Sequence, residues 1–372
     1  MRVLFLTNYP APYRVAFFRE LGKRCDLTVA FMEKPEEQQH RSKLWFDVEY
    51  SNFRAVFLEH SVRLGNAVFF RDAIRLLQEG FDHIILCGYA SATQMLAIEY
   101  LRWKRIPYLL EADGALLKEE SPAKRAVKRH FVSGAAGWIS SGKTTDAYFL
   151  RYGAKKERIF RYPFTSLFED SILPQPPCKE EKERLRAKLD LHGEKIVLSI
   201  GQMIRRKGFD ILIRAAAKCR EARFYIVGGE PTDEYLRLRE QLGALNVRFL
   251  PFVKPALLAE YYQASDLFAL STREDIWGLV VNEAMANGLP VVTTDRCVAG
   301  LELVEDGKNG CLVPVEDPDA TASAIKAVLN GDTARRMGAA SLEKIRDYTI
   351  ENMANRHFEI FMSMERNHET GV

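Results

Sequence analysis

One stretch of the sequence, Ser271 to Asp295, limits what the chain can fold into more than any other. It reads STREDIWGLVVNEAMANGLPVVTTD, and its two acids Asp275 and Glu283 are separated by seven residues. Gly278 lies where the backbone must turn or approach another group closely. A short helix then ends at Gly288, and an apolar run typical of a parallel strand follows. The stretch therefore predicts a loop, a helix and a buried strand, in that order.

The start of this helix has the chemistry of a ligand site. Its first backbone N–H groups are unpaired and carry partial positive charge, so they favour an anion next to Gly278. Two acids beside an anion site suit a ligand with hydroxyls on either side of its phosphates, because carboxylates accept hydrogen bonds from hydroxyls. The alternative is an exposed acidic loop before an ordinary helix.

The stretch resembles the acidic-x7-Glu signature of the retaining glycosyltransferases, family 4 in particular. The resemblance implies that Asp275 holds hydroxyls of a donor sugar and that Glu283 holds the ribose. It also implies that Trp277, Gly278 and the next backbone amides, at Leu279 and Val280, meet the sugar and the diphosphate. The family normally has Glu at position 275, so Glu274 is an alternative to Asp275 for the sugar contact.

Composition limits the class of protein. A chain of 372 residues predicts two domains, and 47% hydrophobic with 28% charged residues is ordinary for a soluble enzyme. The net charge of +3 is too small to indicate nucleic acid as a partner. Six scattered cysteines without a CxxC pair disfavour a zinc site or disulfide scaffold and suit a reducing cytosol. No run reads as a signal peptide or membrane span.

The first domain begins with a strand, a stiff loop and a helix, as parallel α/β sheets do. Tyr13 and Arg14 follow the first strand, at the edge where such sheets bind ligands, and are candidates to face an acceptor. The alternative is that Pro10, Pro12 and Tyr13 only fix the turn. Residues 34–54 are polar and read as an exposed loop.

A later strand, over 107–111, leads into Glu111 and Asp113. In the family resembled, a His close to the donor sugar is common near this place, and this loop has none. Asp113 is therefore the candidate for the polar group of the active site on this side, with Glu111 beside it in contact with the acceptor. The alternative is a plain Asp-Gly turn. The Glu-x-Asp pattern is also found as a metal motif in another glycosyltransferase fold, but the two-domain pattern argues against that fold, so we expect no obligatory metal and no cofactor.

A basic segment, PAKRAVKRHF at 122–131, reads as a helix. Its cations share one side, and a basic amphipathic helix can lie on anionic lipid. The alternative is a solvated charged face. The cations are Lys124, Arg125, Lys128 and Arg129.

The second domain contains a further basic loop, from Gly201 to Gly208, between a predicted strand and helix. It resembles the family's G-R-x-x-x-x-K-G element, whose basic residues neutralise the donor diphosphate. Lys207 matches, Gln202 replaces the family's Arg, and either Arg205 or Arg206 is expected to compensate for the lost charge. The resemblance further places the turn at Gly228 near the donor and the nucleotide base at Phe252 and Val253.

The resemblance implies a GT-B fold, with two Rossmann-like parallel α/β domains facing each other across a cleft. We expect an acceptor domain over 1–165, a linker over 166–190, a nucleotide-sugar domain over 191–350 and a last helix over 351–372 that crosses back to the first domain. The proline-rich composition near 174–177 marks the linker.

The function implied is retaining transfer of a sugar from a nucleoside diphosphate sugar, with UDP favoured over GDP, to a saccharide or lipid-linked saccharide. Lys207, Arg206 and the helix start at Gly278 would stabilise the leaving diphosphate. Catalytic roles are expected for Asp275, Glu283, Asp113 and Lys207. The location expected is the cytoplasm, with possible attachment to the inner face of the membrane. Alternatives are an epimerase or hydrolase of the same fold, and a non-catalytic protein that binds sugar nucleotides.

Overall fold

The computed structural model describes residues 1–34, 49–65 and 67–369. Most of the loop predicted over 34–54 lies outside them. The chain divides into two compact units, residues 1–166 with 349–372, and residues 167–348. The segment 166–190, which the sequence marks as a linker, belongs largely to the second unit and includes a helix.

The first unit contains a parallel seven-stranded sheet in the order β3-β2-β1-β6-β7-β8-β9, and β4 and β5 form a separate antiparallel hairpin. Its strands are β1 Arg2–Thr7, β2 Asp26–Phe31, β3 Arg54–Phe57, β4 Ser61–Leu64, β5 Ala67–Phe70, β6 His83–Leu86, β7 Leu109–Ala112, β8 Gly137–Ser140 and β9 Ile159–Arg161. Its helices are α1 Pro12–Leu21, α2 Arg71–Leu77, α3 Ala92–Lys104, α4 Pro122–Val132 and α5 Lys143–Arg151.

The second unit contains a parallel six-stranded sheet in the order β12-β11-β10-β13-β14-β15. Its helices are α6 Lys179–Leu189, α7 Phe209–Ala216, α8 Asp233–Gln241, α9 Pro255–Ala264, α10 Leu279–Ala286, α11 Val298–Leu303, α12 Pro318–Val328 and α13 Thr333–Ile345. Its strands are β10 Ile196–Ile200, β11 Arg223–Val227, β12 Val247–Leu250, β13 Leu267–Leu270, β14 Val291–Thr294 and β15 Gly310–Val313.

The central strands are apolar along nearly their whole length because helices cover both faces of a parallel sheet. In β10 every residue from Ile196 to Ile200 is buried, and in β1 every residue after Arg2 is buried. Burial of apolar surface stabilises the folded state by about 25 cal/mol for each Å² removed from water. These continuous runs are what made the central strands predictable.

The last helix, α14 Ile350–Glu369, packs against α1 within the first unit. Its inward face carries an aromatic contact in which Phe361 and His357 lie against Phe5, with ring centroids 6.4 and 6.3 Å away. His357 also lies 4.6 Å from the ring of Phe17. A polar residue, His357, is therefore fully buried in an otherwise apolar contact.

One predicted helix is present but begins later than predicted. The sequence predicts a helix over Phe69–Glu79, but the chain first forms the β4–β5 hairpin, and α2 begins only at Arg71. Gly65 turns the hairpin with φ +59°. The apolar run Ala67–Phe70 fits the start of a helix or a strand equally well, since such short runs do not distinguish the two.

We expect Gly338→Ala to destabilise the second unit. A Cβ at this position in α13 would lie 2.1 Å from the carbonyl oxygen of Gly288. Replacing a helical glycine by alanine normally gains about 1 kcal/mol, whereas overpacking costs about 1–3 kcal/mol. Overlap with a backbone atom cannot be relieved by a side-chain rotation, so we expect a lower thermal midpoint. Arg335→Ala, at an exposed position in α13, is the matched control. Equal or higher stability of the Gly338 variant would contradict the close approach.

Candidate functional site

The order of strands in the second sheet places one pair of loops together. The sequence order reverses between β10 and β13, and ligands of open α/β sheets bind beyond the carboxyl ends of strands at such a point. The loop after β10 contains Lys207, and the loop after β13 contains Asp275. Two loops 68 residues apart in sequence therefore meet at the edge where a ligand is expected.

The first of these loops is held close to the second by a glycine. Gly208 follows a 3-10 turn over Arg205–Lys207 and starts α7 with φ +67°. A Cβ at Gly208 would lie 1.9 Å from the carbonyl oxygen of Ser271, so only glycine fits without a shift. The Ser271 hydroxyl donates to the Gly208 carbonyl at 2.7 Å, which fixes the two loops together.

The ion pair between Lys207 and Asp275 lies at the centre of this contact. Lys207 Nζ lies 2.5 Å from Asp275 Oδ2, and each side chain is only 12% exposed. Arg206 Nη1 lies 3.4 Å from Asp275 Oδ1 and donates to the carbonyl oxygen of Glu274 at 2.7 Å. The carboxylate of Asp275 and the backbone of Glu274 both contact the basic loop.

Gly278 starts α10 with φ +102°, and a Cβ there would lie 3.0 Å from Cys297 Sγ. Burial, with Asp275 nearby, raises the pKa of the Cys297 thiol to about 11, so it stays protonated. The Trp277 indole donates to Asn282 Oδ1 at 2.8 Å, and its side chain is buried. The Trp277 side chain therefore packs beneath the turn. Because its ring is buried, the ring is not exposed for the predicted contact with the donor.

Glu283 lies in the second turn of α10 and is held by one donor. The Tyr262 hydroxyl donates to Glu283 Oε2 at 2.9 Å. Burial raises the pKa of Glu283, and the hydrogen bond from Tyr262 opposes part of that rise. The phenol's own pKa is raised well above its usual value, by burial first and then by the carboxylate, so it remains a donor.

The remaining predicted donor residues differ in exposure. Gly228 lies so close to the start of the basic loop that a Cβ on Gly228 would be 1.7 Å from the carbonyl oxygen of Gly201. Gln202 is exposed, and Phe252 is 53% exposed. Val253 is buried. The first residues of α10, Leu279 and Val280, are half-buried.

Sequence reasoning missed Arg273, which ties the two loops to the rest of the unit. Its guanidinium forms a fork with both oxygens of Asp210, at 2.8 and 2.7 Å, and donates to the carbonyl oxygen of Arg205 at 2.7 Å. Burial alone would raise the pKa of Asp210, but the bonds from Arg273 outweigh it and lower that pKa. The available signal was a charged residue two positions before Asp275 in a largely buried segment.

In the first unit, Arg14 and Glu111 form a buried pair. Arg14 donates to both oxygens of Glu111, at 2.8 and 2.9 Å, and the side chains are 4% and 0% exposed. Burial would raise the pKa of Glu111, but the guanidinium outweighs it and holds the pKa well below its usual range. Both residues were predicted to face an acceptor. They instead lie beneath the surface, because each satisfies the other's charge.

Asp113 and Tyr13 lie nearer the surface than this pair. The Asp113 side chain is 35% exposed, and its Oδ1 accepts from the Tyr162 hydroxyl at 2.9 Å and from Arg14 at 3.3 Å. Tyr13 is half-buried, with its ring edge-on to Phe164. No His follows β7, as the sequence shows, but His357 from α14 lies 3.4 Å from Glu111 Oε1. Tyr162 and His357 were not anticipated.

The basic helix α4 is exposed along most of its length, and Val132 is its buried residue. Lys128 differs from its neighbours because its Nζ lies 2.6 Å from Glu120 Oε2, a side chain only 2% exposed. Lys124, Arg125 and Arg129 are exposed. The predicted basic face therefore has three outward cations rather than four.

Among the residues that the structure describes, no group of three or more His, Cys, Asp or Glu side chains is arranged to hold a metal ion. Within the same residues, no helix is both long enough and apolar enough to cross a membrane.

Comparison with known proteins agrees with this geometry. Residues 194–331, which contain both loops of the second unit, match the family model described as Glycosyl transferases group 1. Residues 194–331, here called the family segment, resemble that family, and they contain Lys207, Asp275 and Glu283.

Two curated relatives illustrate the family. The chain is 30% identical over 246 residues to D-inositol 3-phosphate glycosyltransferase of Corynebacterium diphtheriae, covering 62% of this chain and 57% of the relative. It is 33% identical over 175 residues to Spore coat protein SA of Bacillus subtilis, covering 43% of this chain and 46% of the relative. The chain thus spans about half the length of these curated relatives.

Solved structures of glycosyltransferases match nearly the whole chain. The HepE protein of Anabaena, solved in complex with UDP, matches with a TM-score of 0.77 and 20% identity, covering 98% of this chain and 100% of that one. Sucrose-phosphate synthase of Thermosynechococcus elongatus matches with a TM-score of 0.75 and 19% identity, with the same coverage. With two parallel α/β units, this likeness shows the GT-B fold.

We expect Glu283→Gln to stabilise the family segment at neutral pH. Because the folded-state pKa of Glu283 is raised, its contribution to stability is fully present below the ordinary pKa of about 4.3 and is lost as pH rises through the folded value. The Gln variant has no such loss. Its thermal midpoint should exceed that of the wild type at pH 7–8, and the difference should fade towards pH 4. Glu221→Gln, at an exposed position, is the control. A difference independent of pH would contradict the assignment.

Proposed function

We propose that the chain is a retaining glycosyltransferase of family 4 that moves a sugar from a nucleoside diphosphate sugar to a hydroxyl acceptor. The observation that carries the proposal is the contact between the two loops of the second unit. It brings Lys207 and Asp275 together beside the glycine that starts α10. Positive charge, a carboxylate and helix N–H groups thus meet at the edge of the sheet where ligands bind.

The donor diphosphate would be bound by the basic loop and the start of α10. Charge develops on the leaving diphosphate as the sugar becomes oxocarbenium-like, and fixed donors stabilise that charge without having to reorganise. Lys207 is already held in place by Asp275, and Arg206 is partly exposed beside it. When the diphosphate pairs with Lys207, Asp275 is released to accept hydrogen bonds from sugar hydroxyls.

The ribose would be bound by Glu283. Tyr262 occupies Oε2, which leaves Oε1 to accept from a ribose hydroxyl. UDP is favoured as the nucleotide because a structural neighbour over the full chain, HepE, was solved with UDP and with UDP-glucose. The exposed ring of Phe252 offers a surface for the base. We further propose that no metal is required, since Lys207 and Arg206 supply the positive charge.

The acceptor would be bound by the first unit, with Asp113 as the hydrogen-bonding group. We propose that it is a saccharide or lipid-linked saccharide used in synthesis of cell-surface polysaccharide or glycoconjugate. In the front-face route to retention the departing phosphate oxygen takes the acceptor proton, so no enzyme nucleophile is needed. The exposed cations of α4 support attachment to an anionic membrane surface.

We expect Lys207→Ala and Glu283→Ala each to weaken UDP-sugar binding. A ligand at 100 times its Kd should stabilise the wild type by about 2.7 kcal/mol. Loss of one charged hydrogen bond costs roughly 1.5–3 kcal/mol, so the Kd should rise about 10–100-fold. Calorimetry and thermal shift with UDP-, GDP-, ADP- and TDP-sugars measure this, with and without EDTA.

Lys326→Ala removes an exposed cation of α12 and is the matched control, which should bind as the wild type does. Binding that requires a metal would contradict the metal-free site. If no nucleotide binds, the assignment of the donor site is wrong. Sugar release at full rate without an acceptor would indicate a hydrolase, and NMR of the anomeric centre of the product distinguishes retention from inversion.

We expect removal of the three outward cations of α4 to abolish most binding to anionic vesicles. Each Lys or Arg near such a surface contributes about 1 kcal/mol, so replacing Lys124, Arg125 and Arg129 by Ala should weaken binding about 100-fold. Sedimentation with vesicles containing one-third anionic lipid measures this. Lys128→Ala alone should have a smaller effect on binding, because that cation pairs with Glu120.

A triple variant of Lys155, Lys156 and Arg184, all exposed, removes the same net charge elsewhere and is the control. Equal loss in both triple variants would mean that net charge alone governs binding. Retention of binding after the α4 substitutions would remove this helix as the contact surface.

A further inference from the structure

A cluster of six polar side chains lies at the carboxyl edge of the first sheet, and the donor site does not use it. We call it the Glu111 cluster. Its members come from the loops after β6 and β9, from β7 and the loop after it, and from helices α1 and α14. They are Arg14, Cys87, Glu111, Asp113, Tyr162 and His357.

Glu111 is the fixed centre of this cluster. It is fully buried and accepts two bonds from Arg14, and the Cys87 thiol donates to its Oε2 at 3.1 Å. A buried carboxylate without such partners would strongly destabilise the fold. The pair thus fixes the position of the Arg14 guanidinium, which rests over the rings of Phe17 and Phe18 at 5.3 and 5.0 Å.

His357 supports the same carboxylate from the last helix. Its Nδ1 lies 2.8 Å from the carbonyl oxygen of Met353, which can only accept, so Nδ1 carries a proton. Its Nε2 then presents either a lone pair or a second proton to Glu111 Oε1 at 3.4 Å. The ring also packs edge-on against Tyr162, with centroids 4.7 Å apart.

Asp113 is a member of the cluster that reaches solvent. Both of its hydrogen bonds, from Tyr162 at 2.9 Å and from Arg14 at 3.3 Å, go to Oδ1. The side chain is 35% exposed, and Oδ2 has no hydrogen-bond partner among the residues that the structure describes. Oδ1 is therefore held by Tyr162 and Arg14, whereas Oδ2 is not held by either.

We propose that Arg14, Tyr162 and His357 are positioning residues that hold Asp113 so that its Oδ2 receives the acceptor hydroxyl. This inference rests on the proposed function. In it, Glu111 fixes Arg14, and Arg14 in turn holds Asp113, the residue that binds the acceptor. Carboxylates held this way on rigid elements orient a hydroxyl better than mobile ones do. The last helix thereby contributes to acceptor binding through His357.

The protonation of Asp113 provides a readout that a purely structural role would not change. Burial raises the pKa of Asp113, Arg14 opposes the rise, Glu111 adds to it, and the bond from Tyr162 lowers the pKa. Removing the Tyr162 hydroxyl should therefore raise the pKa of Asp113 further. The acid limb of the pH profile for acceptor turnover should move to higher pH.

We expect Tyr162→Phe to lower kcat/KM for the acceptor about 3–10-fold, the loss expected for one hydrogen bond, and to move its acid limb upward. KM for the UDP-sugar should stay unchanged. The ring contacts of Tyr162 remain in this variant, so the fold is kept. His357→Gln removes an electrostatic interaction that lowers the pKa of Asp113, so it should move the limb in the same direction.

Tyr108→Phe is the matched control, because Tyr108 is a buried tyrosine of the same unit whose hydroxyl has no hydrogen-bond partner among the described residues. A carbon-13 NMR titration of the Asp113 carboxyl, assigned with Asp113→Asn, follows the pKa without turnover. If the wild type transfers no sugar, the proposed function fails, and this titration still decides whether Asp113 is held as described.

An upward shift of both the titration and the acceptor profile in the Tyr162 and His357 variants, and not in the Tyr108 variant, supports the inference. A shift of the titration without any change in acceptor kinetics overturns it, since Asp113 would then be held but not used. Identical titrations in all variants also overturn it.

Discussion

The ion pair between Lys207 and Asp275 is the contact on which the candidate donor site depends. It joins loops that follow different strands, at the point where the strand order reverses. Exposed ion pairs contribute little, but this pair is 12% exposed on each side, so losing one partner would leave a poorly solvated charge. The backbone is fixed with it, because the Ser271 hydroxyl donates to the Gly208 carbonyl at 2.7 Å and holds the basic loop against the second loop.

The first unit also has an ion pair at the carboxyl edge of its own sheet. Arg14 and Glu111 are buried more completely than the pair in the second unit, and their forked geometry satisfies two nitrogens and two oxygens at once. In both units a cation from the segment after the first strand of the sheet meets a carboxylate at or just beyond the carboxyl end of a later strand. The difference is exposure, because Lys207 and Asp275 are each 12% exposed, whereas Arg14 is 4% and Glu111 0% exposed.

The sequence was sufficient for the parts of the site that depend on local pattern and chain order. Buried strands are continuous apolar runs, so the loops after them, with Lys207 and Asp275, could be assigned to one edge of a parallel sheet. The sequence was not sufficient to predict that Arg14 and Glu111 are buried against each other. From the sequence alone, both look like ligand-binding residues. Tyr162 and His357 lie far from Asp113 in the chain, and only the packing of α14 on α1 brings His357 there. The hairpin before α2 was missed because a four-residue apolar run has no period to measure.

The shorter acid at position 275 has a physical consequence. A carboxylate one methylene shorter than Glu stays close to its backbone, which is itself fixed by a bond from the Asp275 N–H to the carbonyl of Arg296 at 2.9 Å. Lys207 reaches it with the longer, more flexible chain, so the cation is held while no donor is bound. A bound diphosphate would meet an oriented ammonium group already stripped of much of its water. Most of the free-energy cost of desolvating and orienting that charge would then be met during folding, and not during binding or the chemical step. Fixed charges stabilise a leaving group best under this condition.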